Sequence, residues 1–288
     1  MLLITYRTNG PMRAGVSDGT SVVDAGRLGY PSSLRGILNE GQRAFDKLLG
    51  DAEKALANQT NTIELAKVRV GPPIPDPDKI ICLGLNYKDH AAETGLKLPP
   101  APILFPKYRN TLIGPHDDIV VPKGARERLD YEVELAVVIG RRAFEVKEED
   151  ALSYVAGYAV FNDVSCRELQ LQTSQWMPGK SADNFAPMGP GIVPAREIAD
   201  PQDLMLTTRV NGTQLQHEST KQMIFAVAPT IAFITSFMTL EPGDIIATGT
   251  PAGVGFARKP PIALTNGDVV EVECEKIGVL RNKVVFPE

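Results

Sequence analysis

Most apolar runs in this chain are short and end in Gly, Pro, Asn or Asp, the punctuation of strands and turns rather than of long helices. Leu2 to Tyr6 and Ser21 to Asp24 read as strands of a small meander, with Gly15, Asp18 and Gly19 between them. From Ser33 to Asn58 the period changes. Leu34, Ile37, Leu38, Phe45, Leu48, Leu49, Ala52, Ala55 and Leu56 recur at three- and four-residue steps, which predicts amphipathic helices punctuated by Gly41 and Gly50. Ile63 to Val70 returns to strand character. Pro72, Pro73, Pro75 and Pro77 then remove backbone donors and enforce extension, so the boundary between a small α+β domain, 1–70, and a larger one, 71–288, is placed there.

In the larger segment Ile80 to Leu83 predicts a strand, and Asn86 to Glu93 a turn entering a short helix. Leu96 to Asn110, with four prolines, reads as a loop and a candidate lid. Strands are predicted for Ile119 to Val121, Tyr131 to Ile139 and Tyr154 to Asn162, and a helix for Val164 to Leu171. Gly179 and Lys180 fall in a loop, and Pro187, Gly189, Pro190 and Gly191 interrupt Ala186 to Val193. Leu206 to Val210 reaches a hairpin turn at Asn211-Gly212. Met223 to Leu240 reads as a buried helix, Thr248 to Gly255 as a Gly-rich turn, and Val269 to Cys274 with Val279 to Val285 as a closing pair of strands. Without a repeat or a βα alternation, the expectation is a mixed, β-rich fold.

Composition changes this picture little. A length of 288 residues, 43% hydrophobic and 23% charged, suits a soluble globular protein with a sizeable core. A net charge of −5 and a pI near 5.4 leave no basic footprint, so no nucleic-acid partner is expected. No membrane segment is expected either, because Pro229, Thr230, Thr235 and Ser236 interrupt the longest weakly polar stretch. Cys82, Cys166 and Cys274 are three widely spaced cysteines, which suits a reducing, cytoplasmic compartment.

The candidate chemistry begins at Glu132 and Glu134. Side chains on a strand alternate, so both glutamates share the face of Ala136 and Val138, while Tyr131, Val133, Leu135, Val137 and Ile139 take the other. Two adjacent carboxylates in an apolar strand resist leaving water unless a proton or a cation compensates them. Asp163, closing the next predicted strand, is the candidate third donor. Three oxygen donors without Cys or His suit Mg²⁺ or Mn²⁺, with Ca²⁺ also possible, and disfavour zinc. The alternative is that the two glutamates line the solvated face of an edge strand and Asp163 caps a turn. His90 and Glu93, three residues apart, share a helical face and could form a general-base dyad, or a capping pair. Lys180, between glycine and serine, is within reach of an anion, though a surface position is the ordinary reading for a lysine, and Arg167 and Gln170, on one face of the predicted helix, read as solvent-facing if taken singly. Thr250 lies in a turn whose backbone N–H groups suit an anion, and Cys166 reads as a buried, inert thiol.

Five ordered segments together resemble the fumarylacetoacetate hydrolase family. They are Gly84 to Glu93, Tyr131 to Leu135, Asn162 to Gln170, Gly179 to Ser181 and Thr248 to Gly255. The resemblance implies a β-sandwich roll, usually a homodimer. It implies Glu132, Glu134 and Asp163 as Mg²⁺ or Mn²⁺ ligands, His90 with Glu93 as a water-activating dyad, and Lys180 as an enolate-stabilising lysine. Arg167, Gln170 and Thr250 match residues that position the substrate's carboxylate and oxo groups. The larger hydrolases of the family add a carboxylate before the His segment, whereas Ile80 to Lys88 holds none here, so the likeness is to the shorter branch. It implies cleavage of a C–C bond in a 2,4-dioxo, acylpyruvate-type acid. Decarboxylation of oxaloacetate and isomerisation of a 2-hydroxymuconate are the alternatives at the same site, and a non-catalytic oxo-acid-binding dimer is the alternative of another class.

Overall fold

The computed structural model describes residues 1–288. Its spine is a 12-stranded sheet. Along that sheet run Thr62–Glu64, Ser21–Asp24, Arg13–Ser17, Leu2–Arg7, Ala186–Pro194, Val155–Asn162, Val133–Ile139, Ile245–Ala247, Ile80–Gly84 and, at the far edge, Ile103–Lys107. A second, 5-stranded sheet orders Thr213–Ser219, Met205–Val210, Val269–Cys274, Gly278–Val285 and Ile119–Val120. The molecule is a strand-rich, mixed fold.

Val133–Ile139 explains the layering, because every residue in it is buried. Val133, Leu135, Val137 and Ile139 pack into the core between the two sheets with Leu206, Val272 and Leu280. Ala136 and Val138 point the opposite way, where Phe45, Leu48 and Leu49 of the helix Gln42–Ala57 cover the sheet. A strand covered on both faces needs a continuous run of apolar residues, which is what this segment supplies. Gly41, at φ 89°, separates Leu34–Asn39 from Gln42–Ala57. Gly50 continues the longer helix rather than ending it.

Three strands depart from expectation. Arg13–Ser17 is a strand because Gly15 serves close approach, not a turn: a Cβ there would lie 2.6 Å from Val22 Cγ2. Ala186–Pro194 is one strand despite its prolines and glycines, and at Gly191 a Cβ would lie 2.8 Å from Ile4 Cγ2 on the neighbouring strand. Ile103–Lys107 was expected as loop, yet it pairs with Ile80–Gly84, and its Pro106 is tolerated because the strand is at the sheet edge. Gly179 and Lys180 likewise belong to a helical turn, Met177–Lys180. Main-chain pairing runs on past the proline-rich stretch, since Leu2–Arg7 pairs with both Arg69–Gly71 and Ala186–Pro194. No helix is long and apolar enough to cross a membrane.

Candidate active site

The antiparallel pairing of Val133–Ile139 with Val155–Asn162 extends one step beyond both strands, where Asp163 N donates to Glu132 O at 2.9 Å. That step brings three carboxylates together. One oxygen each of Glu132, Glu134 and Asp163 lie within 4.8 Å of one another, and the residues are only 5%, 1% and 0% exposed. The solvated-edge alternative is therefore excluded.

Cations partly compensate this cluster. Lys180 Nζ lies 2.7 Å from both Glu132 Oε2 and Asp163 Oδ2, and Arg167 Nη2 lies 2.6 Å from Glu132 Oε1. Lys107, itself buried, pairs with Asp163 Oδ1 and donates to Val164 O at 3.1 Å. Burial alone would raise Glu132, but Lys180, Arg167 and His90 outweigh it and hold the carboxyl at about 2. Burial opposes the charge on Lys180 too, yet Asp163 and Glu132 raise it. Glu134 is the exception. It accepts one hydrogen bond, from Gly249 N at 2.8 Å, and burial with Asp163 and Glu132 pushes it well above the usual carboxylate range.

Asp130, Glu132, Glu134 and Asp163 thus face only Lys107, Arg167 and Lys180 among the buried charges around this cluster. One divalent cation on the three clustered carboxylates would relieve the repulsion on Glu134, and an all-oxygen donor set suits a hard ion. The residues present fit such an ion.

His90 and Glu93 lie on the helix Lys88–Thr94, and His90 Nδ1 is 2.7 Å from Glu93 Oε1. Glu93 Oε2 accepts from Gly253 N at 2.9 Å and Asp89 Oδ2 from Ala252 N at 3.3 Å, so the Gly-rich turn holds the helix in place. Gly253, at φ +101°, has no room for a side chain, since its Cβ would lie 2.2 Å from Leu215 O. Before the helix, Asn86 donates to Thr248 O at 2.7 Å and accepts from Phe225 N at 2.8 Å. Leu85, on the pocket wall, adopts φ 53°, a conformation costly for a branched side chain and held by those contacts.

Arg167 and Gln170 share the turn Arg167–Gln170, with Arg167 Nη1 donating to Gln170 Oε1 at 2.8 Å. The guanidinium is fixed by Asp130, which accepts from Arg167 Nε at 2.9 Å, Gly255 N at 2.7 Å and Phe256 N at 3.1 Å. Gly179 lets Lys180 reach the centre, because a Cβ there would lie 2.5 Å from Cys166 O and Gln170 N. Thr250 Oγ1 accepts from Gln216 Nε2 at 2.8 Å. Lys107, Asp130 and Gln216 were not anticipated. Asp130 adjoins the Tyr131-Glu132 segment, which was a signal; Lys107 lies in the stretch read as a loop and candidate lid, where nothing marked the lysine itself, and Gln216 in one that gave no signal.

These groups line a pocket of about 90 Å³ that includes His90, Glu132, Arg167, Gln170, Lys180 and Thr250. Its remaining wall is largely apolar. Trp176 fills the notch over Gly84, where a Cβ would lie 2.1 Å from Cζ3, and meets Phe105 edge-on at 5.7 Å between ring centroids. His116 and His217 stand apart from this pocket. All three cysteines are free and buried.

The fumarylacetoacetate hydrolase C-terminal model matches residues 79–285. The chain belongs to the fumarylacetoacetate hydrolase family. It is 42% identical over 275 residues to the rat mitochondrial oxaloacetate tautomerase Fahd2a, covering 95% of this chain and 86% of that one. The fold matches fumarylacetoacetate hydrolase from Exiguobacterium antarcticum with a TM-score of 0.88 at 37% identity, over 100% of both chains. It also matches maleylpyruvate hydrolase from Sphingobium sp. SYK-6, solved with manganese(II) and pyruvate, with a TM-score of 0.82 at 30% identity over 100% of both chains. Every candidate residue from His90 to Thr250 falls inside the matched segment of this family of enzymes.

Proposed function

We propose that this enzyme moves a proton on a small 2-oxo acid, and that keto–enol tautomerisation of oxaloacetate is its reaction. The observation that carries the reading is the shared pocket: His90, held by Glu93 from behind at 2.7 Å, lines one small cavity with Lys180 and Arg167. The rat relative's oxaloacetate tautomerase activity, at 42% identity, favours this substrate over a larger one.

Glu93 accepts a hydrogen bond from His90 Nδ1–H, which fixes the tautomer and leaves Nε2 as the basic nitrogen. Nε2 removes a proton from C3 of the keto acid, and the electron pair of that C–H bond becomes the C2–C3 double bond. Negative charge moves to the 2-oxo oxygen, which takes the proton back from His90 Nε2 to give the enol. Lys180 and Arg167, already charged and buried, stabilise that oxygen without reorganising. A divalent cation held by Glu132, Glu134 and Asp163 would supply a Lewis acid for the same oxygen, and we propose Mg²⁺ or Mn²⁺ over Ca²⁺.

The likeness to maleylpyruvate hydrolase favours a second reading, C–C cleavage of an acylpyruvate, with the same dyad taking a proton from water. Decarboxylation of oxaloacetate would instead break the C3–C4 bond, release CO₂ and leave a pyruvate enolate on the same cations. A homodimer in a reducing, cytoplasmic setting, without nucleic-acid or membrane partners, completes the proposal. The test follows loss of enol-oxaloacetate absorbance alongside pyruvate release from oxaloacetate and acetylpyruvate, with and without chelator. Chelator-sensitive enol loss without pyruvate supports the tautomerase. Pyruvate from acetylpyruvate replaces it with the hydrolase, and pyruvate from oxaloacetate alone with the decarboxylase.

A further inference from the structure

Gln216 contributes no atom to the pocket, yet its amide is committed on every side. It is 1% exposed, on the strand Thr213–Ser219 of the smaller sheet. Its Oε1 accepts from Val133 N at 3.2 Å and from Thr208 Oγ1 at 2.8 Å. Its Nε2 donates to Pro251 O at 2.9 Å and to Thr250 Oγ1 at 2.8 Å.

Those partners fix which end of the amide faces which way. Val133 N can only donate and Pro251 O can only accept, so the flipped amide would set two donors and two acceptors against each other. The NH₂ end therefore faces Thr250, and the threonine oxygen receives a proton from it. The threonine's own O–H is left to donate, and no protein group accepts it; Thr250 is buried at 4% exposure and lines the pocket.

We infer that Gln216 is a positioning residue that makes the Thr250 hydroxyl a hydrogen-bond donor into the pocket, aimed at an anionic oxygen of the bound acid. It also ties the strand next to Glu132 and Glu134 to the turn bearing Thr250, through Val133 N and Pro251 O. This rests on the pocket being the oxo-acid site, and not on which reaction follows there. The ligand oxygen it selects is an acceptor: a carboxylate or an enolate binds, and a hydroxyl offered as donor does not.

The test is a double-mutant cycle read by calorimetric binding of oxalate, a planar mimic of the enolate of a 2-oxo acid, at fixed saturating Mg²⁺. Thr250→Val removes the donor and Gln216→Met removes the group that orients it. Each should weaken oxalate by roughly 3- to 10-fold, the worth of one hydrogen bond to a buried site. The double variant should bind no more weakly than Thr250→Val alone, because the glutamine acts through the hydroxyl. Thr250→Ser should restore most of the affinity. Circular dichroism and melting temperature establish that each variant is folded; if Gln216→Met does not fold, Gln216→Glu, whose carboxylate would accept the threonine proton, must show the same loss. Additive losses, a folded Gln216 variant with unchanged oxalate affinity, or no oxalate binding by the native enzyme would overturn the inference. Retained coupling in an enzyme that does not tautomerise oxaloacetate would overturn the proposed reaction and leave this inference standing.

Discussion

Lys107→Met tests how the acidic centre is held in place. The ammonium is buried and pairs with Asp163 Oδ1, while Asp163 Oδ2 pairs with Lys180 at 2.7 Å. Methionine keeps the length and the apolar contacts of the stem but removes the charge and the hydrogen bond to Val164 O. Removing one partner of a buried ion pair costs about 3–5 kcal/mol, and Asp163 is left with Lys180 alone, which it shares with Glu132. With an unfolding entropy of about 2.1 cal/mol/K per residue over 288 residues, the melting temperature of the metal-free protein should fall by roughly 5–8 °C. A divalent cation on Asp163 compensates the same carboxylate, so in Mn²⁺ the gap between native and variant should narrow. Thermal unfolding in EDTA and in excess Mn²⁺ reads both effects. A drop under about 2 °C in EDTA, or a gap that Mn²⁺ leaves unchanged, would mean that Lys107 does not hold Asp163 in place.

Two further perturbations follow from the site. His90→Ala should lower kcat by about 10²- to 10⁴-fold while Mn²⁺ affinity stays within a few-fold of native, because the proposed role of the imidazole is general base and not ligand; steady-state rates beside a Mn²⁺ titration check it, and unchanged turnover would remove the dyad. Burial raises the thiols of Cys82, Cys166 and Cys274 and so keeps thiolate scarce at pH 8; Ellman's reagent should find none promptly in the native enzyme and all three in guanidinium.

Alternation carried the sequence reading furthest where a strand is covered on both faces. Glu132 and Glu134 lie on the side of Ala136 and Val138, and the pairing of adjacent strands places Asp163 beside them. The helical period over Ser33 to Asn58 was equally clear, since one face of Gln42–Ala57 packs on the sheet. Glycine and proline misled where their role is spacing. Gly15 and Gly191 remove side chains that would strike a neighbouring strand, and Pro106 sits on an edge that needs no donor. Nothing in a linear sequence separates those uses from a turn. Lys107 and Gln216 were missed for a related reason: each acts on a residue distant in the chain, Asp163 and Thr250, and the contact exists only once the sheets are assembled.

We propose that Glu132, Glu134 and Asp163 hold one divalent cation. Free Mn²⁺ measured by electron paramagnetic resonance, titrated against native enzyme and against Glu134→Gln, tests it most directly. Glu134→Gln keeps the shape of the site and removes the carboxylate with the least compensation around it. One Mn²⁺ should bind per native chain, the variant should lose at least roughly 10-fold in affinity, and the metal-free variant should melt at a higher temperature as the repulsion is relieved. Equal Mn²⁺ binding by the two proteins, or none by the native enzyme, would contradict it.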